Sequence, residues 1–383
     1  MAHQKINFVR LQQQIDRHEF RALEKVHFQA NSGRRLSHWG HFTFWLFALA
    51  KQAASLRDAV SGIAAAPEKF YHAGLKPVPL STVSEANSKR NAVMYRELFF
   101  LMLEKCRRNL PRKMRGALRI IDSTTIAFSN SRYGWAKYQS KIHGVKIHLM
   151  FTHENNLPHD LHLTHARDAD VKIAHRFAFE SGITYVMDRG YTDSKLWRKI
   201  AENKAFFVIR LKKDLLYHIL REEKIAGVPG VLSCKTIVLT GSDSQKFGDV
   251  LYVLRLRDQD TGKEIEVATN NSELTAAEVS DIYRKRWAIE LFFKWLKQNL
   301  KMRRMYGFSE NAVQLQIWIS LIFYLLLWRM YAMARDKASR FLDFLRHFRS
   351  RLLLPESQLR KPSSLKSPLD EWLPGFPPNP AEQ

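Results

Sequence analysis

The chain has 383 residues and carries 61 Lys and Arg against 37 Asp and Glu, a formal net charge of +24. That excess favours a polyanionic partner, nucleic acid ahead of an anionic membrane surface, because the basic residues are spread through aromatic-rich helices instead of gathering beside a spanning segment or a lipidation signal. With only Cys106 and Cys234, and no C-x-x-C spacing, a disulfide framework and a structural zinc site are unsupported.

The opening Met1-Ala-His-Gln-Lys-Ile-Asn7 is polar and has no apolar h-region. The longest apolar run, Ile317 to Trp328, is shorter than the roughly 20 residues of a membrane helix and is read as a core helix. The expectation is a soluble, cytoplasmic protein of two or three domains with no membrane partner.

Residues 1–112 read as a helical domain, with apolar residues recurring from Trp39 to Ala50 and from Tyr95 to Leu103. Thr82-Val-Ser-Glu85 has the pattern of a capping box opening a helix. A helix-turn-helix would present Ser84, Asn87, Lys89 and Arg90 to phosphates and base edges of double-stranded DNA. A small bundle with a polar face accounts for the same residues equally well.

Pro111 to Gly116 is a basic linker, after which the pattern turns to strands. Residues 113–211 form the first part of a core: a strand through Asp122, an alternating strand over 142–152, a third over 161–165, a helix over 170–181, a strand ending at Asp188, a helix over 194–203 and a strand over 205–211. That order is the order of a ribonuclease H-like fold. Residues 212–274 are a β-rich insertion between the second Asp and the helix of Glu290, 275–335 complete the core, and 336–383 are a basic helix followed by a Pro/Ser-rich tail. The fold class expected is α/β, a ribonuclease H-like catalytic core with this insertion and an all-α N-terminal domain.

Asp122 and Asp188 each sit in or at the end of an apolar run, Leu118-Arg-Ile-Ile-Asp122 and Ile183-Thr-Tyr-Val-Met-Asp188. Acids among Ile, Val and Met are costly unless compensated, and a bound cation is the usual compensation. On one helix through residues 283–297, Tyr283, Arg286, Glu290 and Lys297 would project within an arc of roughly 60°. Ile289, Phe293 and Leu296 would fill an adjoining apolar arc. Glu290 can then look into a groove while Tyr283, Arg286 and Lys297 grip phosphates.

Other candidates are read more plainly. Asp168 and Asp170 are taken as caps of the helix that follows them. His159, His162 and His165 lie on a strand that does not converge them. His148 is a sheet-face histidine, and Trp135, Trp287 and Trp295 are packing residues.

Tyr283, Arg286, Glu290 and Lys297, together with Asp188-Arg189-Gly190-Tyr191 and Ile121-Asp122-Ser123-Thr124, resemble the signature motifs of the DDE transposases of bacterial insertion sequences, specifically the insertion-sequence-four type. Gly144 to Leu149 and Ser309 to Trp318 are similar to segments that flank those motifs, and the N-terminal segment is similar to the amino-terminal domain of one branch. The resemblance implies Asp122, Asp188 and Glu290 as catalytic residues and as ligands of two Mg²⁺ ions, with Mn²⁺ able to substitute, Asp122 bridging the pair. It also implies cut-and-paste movement of an element bounded by terminal inverted repeats, through hairpinned ends, by a homodimer holding two ends. The setting would be the bacterial cytoplasm, on the nucleoid when bound to DNA. Relatives stack a flipped base on an indole in the insertion, yet residues 212–274 hold no Trp, so Phe247, Tyr217 or Tyr252 would have to serve. An endonuclease of the same fold without strand transfer, and a non-catalytic DNA-binding descendant, are the competing readings.

Overall fold

The computed structural model describes residues 6–27, 35–108, 110, 117–128, 131–139, 142–241, 247–257, 262–300, 302, 304–333 and 340–354. The linker 111–116, part of the turn at 260–262 and the Pro/Ser-rich tail lie outside them. In chain order the elements are α1 (Asn7–Gln12), α2 (Arg17–Val26), α3 (His38–Ala50), α4 (Leu56–Ala64), α5 (Pro67–Tyr71), α6 (Leu80–Lys89) and α7 (Ala92–Arg108). There follow β1 (Leu118–Phe128), β2 (Lys137–Gln139), β3 (Ile142–Thr152), β4 (Leu157–His165), α8 (Asp170–Ala174), β5 (Thr184–Met187), α9 (Ser194–Glu202) and β6 (Phe206–Arg210). The chain continues through β7 (Tyr217–Lys224), β8 (Val231–Leu239), β9 (Leu251–Arg257), β10 (Glu264–Thr269), α10 (Ala276–Lys285), α11 (Trp287–Asn299), α12 (Glu310–Met333) and α13 (Phe341–Ser350).

These elements form two compact units, one of Met1–Leu110, Ile126–His143 and Lys294–Gln383, the other of Pro111–Thr125 and Gly144–Phe293. The first is mainly helical. Every residue of α3 is buried, which its all-round apolar composition dictates. Side-chain oxygens of Asp16, Ser37 and Ser55 cap α2, α3 and α4. The expected capping box at Thr82 is not where α6 begins. That helix opens at Leu80 behind Pro79, whose carbonyl accepts from Thr82 N–H at 3.1 Å, so Thr82 and Glu85 lie inside it.

The apolar run near the C-terminus is longer than its sequence suggested. It forms the 24-residue α12, long and apolar enough by length and composition to cross a membrane, yet 89% of its apolar window is buried inside the protein. It packs on α1, α3, α6, α7 and α13, as a core helix does.

The second unit is built on one sheet, in the order β4-β3-β1-β5-β6-β10-β9-β8-β7. β1, β5 and β6 are parallel neighbours, the remainder from β6 outward antiparallel. The β-rich insertion is therefore not a detached module. β10 pairs with β6 through Val267, Ala268 and Thr269 and covers an edge that would otherwise be open. The outer edge falls to β7, whose exposed Arg221, Glu222, Glu223 and Lys224 discourage further pairing.

Two helices differ from expectation. α8 ends at Ala174 instead of running to Ser181, because Lys199 Nζ takes the carbonyls of His175 and Phe177 at 2.6 and 3.1 Å and the chain turns Phe177 and Phe179 into the core. The helix through 283–297 is interrupted at Arg286, where Arg286 N–H bonds Tyr283 carbonyl at 3.1 Å and Ile289 N–H bonds Arg286 carbonyl at 3.3 Å. These i to i−3 bonds tighten one turn and re-aim the side chains on either side of it. A capping box that the sequence reading missed, Thr275 with Glu278, opens α10.

Candidate active site

Leu118 to Ile121 of β1 are buried and pair in parallel with Thr184 to Met187 of β5, the last pair being Ile121 with Met187. One residue beyond that register come Asp122, midway along β1, and Asp188, just past the end of β5. The apolar run of each strand is the reason its acid is delivered there and held against a nonpolar floor.

Asp188 Oδ1 accepts from Gly190 N–H at 2.8 Å and starts a short 3-10 turn over Arg189–Tyr191. A Cβ at Gly190 would come within 3.0 Å of that oxygen, which explains the glycine in the motif. Glu290 lies in the first turn of α11, seated by the fully buried Ile289 and by Phe292, whose ring centroid is 4.8 Å from that of Phe151 on β3.

Arg286, at the joint between α10 and α11, links the acids. Its Nη2 is 2.5 Å from Glu290 Oε1 and its Nη1 3.7 Å from Asp122 Oδ2. Burial alone would lower its pKa, but Tyr283, Glu290 and Asp122 outweigh that and raise it. The guanidinium carbon lies 5.8 Å from the centroid of the Tyr283 ring, and Tyr283 itself is pushed up by burial. The Asp122 carboxyl is raised to about 7, first by burial and further by the charges of Asp188 and Glu290, while Ser123 N–H and Arg286 pull it down.

The structure thus brings Asp188, Arg286 and Glu290 within electrostatic reach of Asp122. It does not close three acids on one point: among the described residues no three His, Cys, Asp or Glu side chains converge as a ready-made metal cage. Like charges repel, and the guanidinium stands between two of them. The donors themselves suit a hard divalent cation, being carboxylate oxygens, and a carboxyl raised to about 7 by burial and like charges is one that such a cation would neutralise.

The remaining candidates divide. Lys297 lies on α11 within the first unit, half-buried. Ser84 and Lys89 are exposed on α6, with Lys89 paired to Glu85 at 2.6 Å. Asn87 and Arg90 are buried and do not qualify as DNA contacts: Asn87 Oδ1 accepts from Trp45 at 2.8 Å and bonds His41 Nε2 at 2.7 Å, and Arg90 donates to the carbonyls of Ser37 and Leu36. Their polarity belongs to the interior of the bundle.

Three other residues sit differently from expectation. Trp287 is not a packing residue but 57% exposed, directly beside Arg286. Phe247 cannot stack a base, being buried against Trp197 and Phe207. Asp170 caps nothing, since Ala169 holds the cap position without a side-chain bond. Asp170 instead accepts from the Ser123 hydroxyl at 2.7 Å and faces Lys146 Nζ at 3.1 Å and His148 Nδ1 at 3.4 Å. The signal that could have found it is the pairing of two polar residues, Lys146 and His148, on one face of an otherwise apolar strand.

A ribonuclease H-like sheet with acids on two adjacent central strands where their pairing ends, and a third acid on a following helix, defines a class of polynucleotidyl-transfer enzymes. The family described as "Transposase DDE domain" matches residues 114–326, and the one described as "Domain of unknown function (DUF4372)" matches residues 3–76. The putative transposase y4zB of Sinorhizobium fredii is 35% identical over 260 residues, covering 66% of this chain and 72% of that protein. The probable transposase for insertion sequence element IS5377 of Geobacillus stearothermophilus is 29% identical over 281 residues, 72% of this chain and 74% of the relative. Among solved structures, a cryo-EM synaptic complex of piggyBac transposase with hairpin DNA aligns with TM-score 0.47 and 9% identity, over 90% of this chain and 75% of that one. The chain belongs to the DDE transposase family, and is a DNA transposase consistent with the insertion-sequence-four type. Membership implies dependence on a divalent metal ion, typically Mg²⁺.

Proposed function

We propose that the protein moves an insertion sequence by cut and paste, hydrolysing the phosphodiester at each end of an element bounded by terminal inverted repeats and joining the freed 3′-hydroxyl to target DNA. The Asp122–Arg286–Glu290 contact beside Asp188 carries this reading. Asp122, Asp188 and Glu290 would hold Mg²⁺, two ions with Mn²⁺ able to substitute, supplying positive charge that activates an oxygen nucleophile and steadies the leaving oxyanion.

The chain's own groups do the rest. Arg286 would offer its planar fork to a phosphate, with the Tyr283 ring beside it. Trp287, the next residue along the chain, offers an exposed indole on which a base displaced from the cut end would stack, the step that a hairpinned end requires. Lys297 stays a phosphate contact on the resemblance alone. Ser84 and Lys89 are candidate contacts to the terminal repeats. Two ends must be cut together, so the working form is a homodimer on DNA, in the bacterial cytoplasm.

The test is cleavage and joining of labelled ends carrying the repeats that flank the gene, in Mg²⁺. Asp122→Ala and Glu290→Ala should each abolish cleavage and leave end binding intact. Cleavage retained by both variants would refute the assignment, and cutting without joining would reduce the protein to an endonuclease.

A further inference from the structure

We propose that Ser123 and Asp170 act as a positioning pair that fixes the Asp122 carboxylate for ion binding, a role that rests on the transposase reading above. Ser123 touches both acids. Its backbone N–H donates to Asp122 Oδ1 at 2.7 Å, and its hydroxyl donates to Asp170 Oδ1 at 2.7 Å. Side chains alternate across a strand, so the residue after Asp122 projects to the other face of β1. What holds Ser123 there also limits how the strand can rotate Asp122.

Asp170 is itself held from β3. Lys146 and His148 stand two residues apart and share a face, their nitrogens 3.1 and 3.4 Å from Asp170 Oδ1. Lys146 Nζ also donates to the carbonyl of Asp168 at 2.9 Å, which pins the loop that carries Asp170. The His148 side chain is 1% exposed and that of Lys146 13%, so solvent screens these contacts little. Burial lowers His148 to about 4, and the ring therefore meets Asp170 neutral while its Nε2 and the Thr164 hydroxyl share a hydrogen bond of 2.8 Å.

Tyr191 adds a second observation on the same floor. Its hydroxyl is buried, and among the described residues no partner meets hydrogen-bond geometry with it, Ser123 being near enough only to bear on its charge. Its pKa is pushed well up, chiefly by burial and then by the charges of Asp122, Asp170 and Asp188, with Ser123 pulling the other way. Asp122, Asp170 and Asp188 therefore all lie within electrostatic reach of one buried phenol. Groups that orient ion ligands from behind commonly set affinity by about 10- to 100-fold.

The experiment measures two things: the Mg²⁺ concentration giving half-maximal end cleavage, and Mn²⁺ binding to the DNA-free protein by calorimetry. Ser123→Ala and Asp170→Asn should raise the first and weaken the second by about tenfold, with end affinity unchanged. Ser123→Thr keeps the hydroxyl in a residue suited to strands and should restore both. Glu266→Gln, which breaks the half-buried pair at 3.0 Å between β10 and Lys235 of β8, is the stability control and should move neither. The proposal is overturned if Ser123→Ala and Asp170→Asn lower the melting temperature as the control does while ion requirement and Mn²⁺ affinity stay at wild-type values. A protein that binds Mn²⁺ through Asp122 but cuts no end would sink the transposase reading alone, and the calorimetric comparison would still decide the role of the pair.

Discussion

Arg286 donates to Glu290 Oε1 at 2.5 Å from the joint between two helices, four residues before the acid it pairs with. A regular helix would favour such a pair by only about 0.3–0.5 kcal/mol at its surface. Here the tightened turn also brings Nη1 to 3.7 Å from Asp122 on β1, so one cation serves a strand acid and a helix acid. The Arg286 and Asp122 side chains are 16% and 18% exposed, which makes the arrangement an internal counter-charge and not a surface decoration.

That placement predicts a metal-dependent stability defect. Arg286→Gln leaves Asp122 and Glu290 facing each other without their shared cation, and breaking a buried pair costs about 3–5 kcal/mol when nothing replaces it. Glu290 is 35% exposed, so solvent screening should cut the loss to roughly 1–2 kcal/mol. Melting curves in EDTA should show the variant below wild type, and added Mg²⁺ or Mn²⁺ should narrow the gap. An identical gap with and without divalent ion contradicts the counter-charge role.

The Asp122 carboxyl gives a pH dependence. Its folded value of about 7 lies above the unfolded value near 4, so between about pH 4 and 7 the native chain keeps a proton that the unfolded chain has lost. On this account stability falls as pH rises through that window and levels off above 7, by about 4 kcal/mol at most. Urea midpoints in EDTA at several pH values should show wild type losing stability relative to Asp122→Asn between pH 5 and 7.5. A constant difference across that range would remove Asp122 as the cause.

Much of this site was legible because its carriers have strong local patterns. Asp122 and Asp188 end short β-branched apolar runs flanked by turn signals, a pattern that favours buried central strands. The helix of Glu290 was equally plain from its apolar period. The break at Arg286 was not, since its backbone stays right-handed helical and no Gly or Pro marks it. Nor was the role of Asp170, whose partners Ser123, Lys146 and His148 lie on two other strands. Asn87 and Arg90 misled for the opposite reason: polar residues at a helix end suit a phosphate and a buried carbonyl equally well, and only tertiary packing decides.

Trp287 separates function from stability. At 57% exposure its replacement should alter stability by no more than about 0.5 kcal/mol, whereas stacking on a base is worth about 1–3 kcal/mol. Trp287→Ala should therefore leave the first nick at the element end largely intact and reduce hairpin formation about 10- to 100-fold, with Trp287→Tyr intermediate. Products resolved on denaturing gels decide it, and unchanged hairpin yield in Trp287→Ala would exclude the indole from strand handling.

On α6 the four polar residues should split into two behaviours. Asn87→Ala strips the stronger acceptor from buried Trp45 Nε1 and from His41, whose pKa burial has already driven well down, leaving the two only their longer 3.2 Å contact with each other. A buried polar group that loses its partner costs about 1–3 kcal/mol, so the variant should lose stability by roughly 2 kcal/mol or more. DNA affinity per folded molecule should not change. Lys89 is exposed and pairs with Glu85, an i,i+4 pair of small worth. Lys89→Ala should keep the melting temperature within about a degree or two, yet weaken end binding evenly across DNA sequences and lower the slope of log affinity against log salt by about one if it holds a phosphate. Binding isotherms at four salt concentrations with matched thermal melts distinguish the cases. A normal salt slope in Lys89→Ala, together with reduced affinity of the still-folded Asn87→Ala protein, would reverse the assignment made from burial.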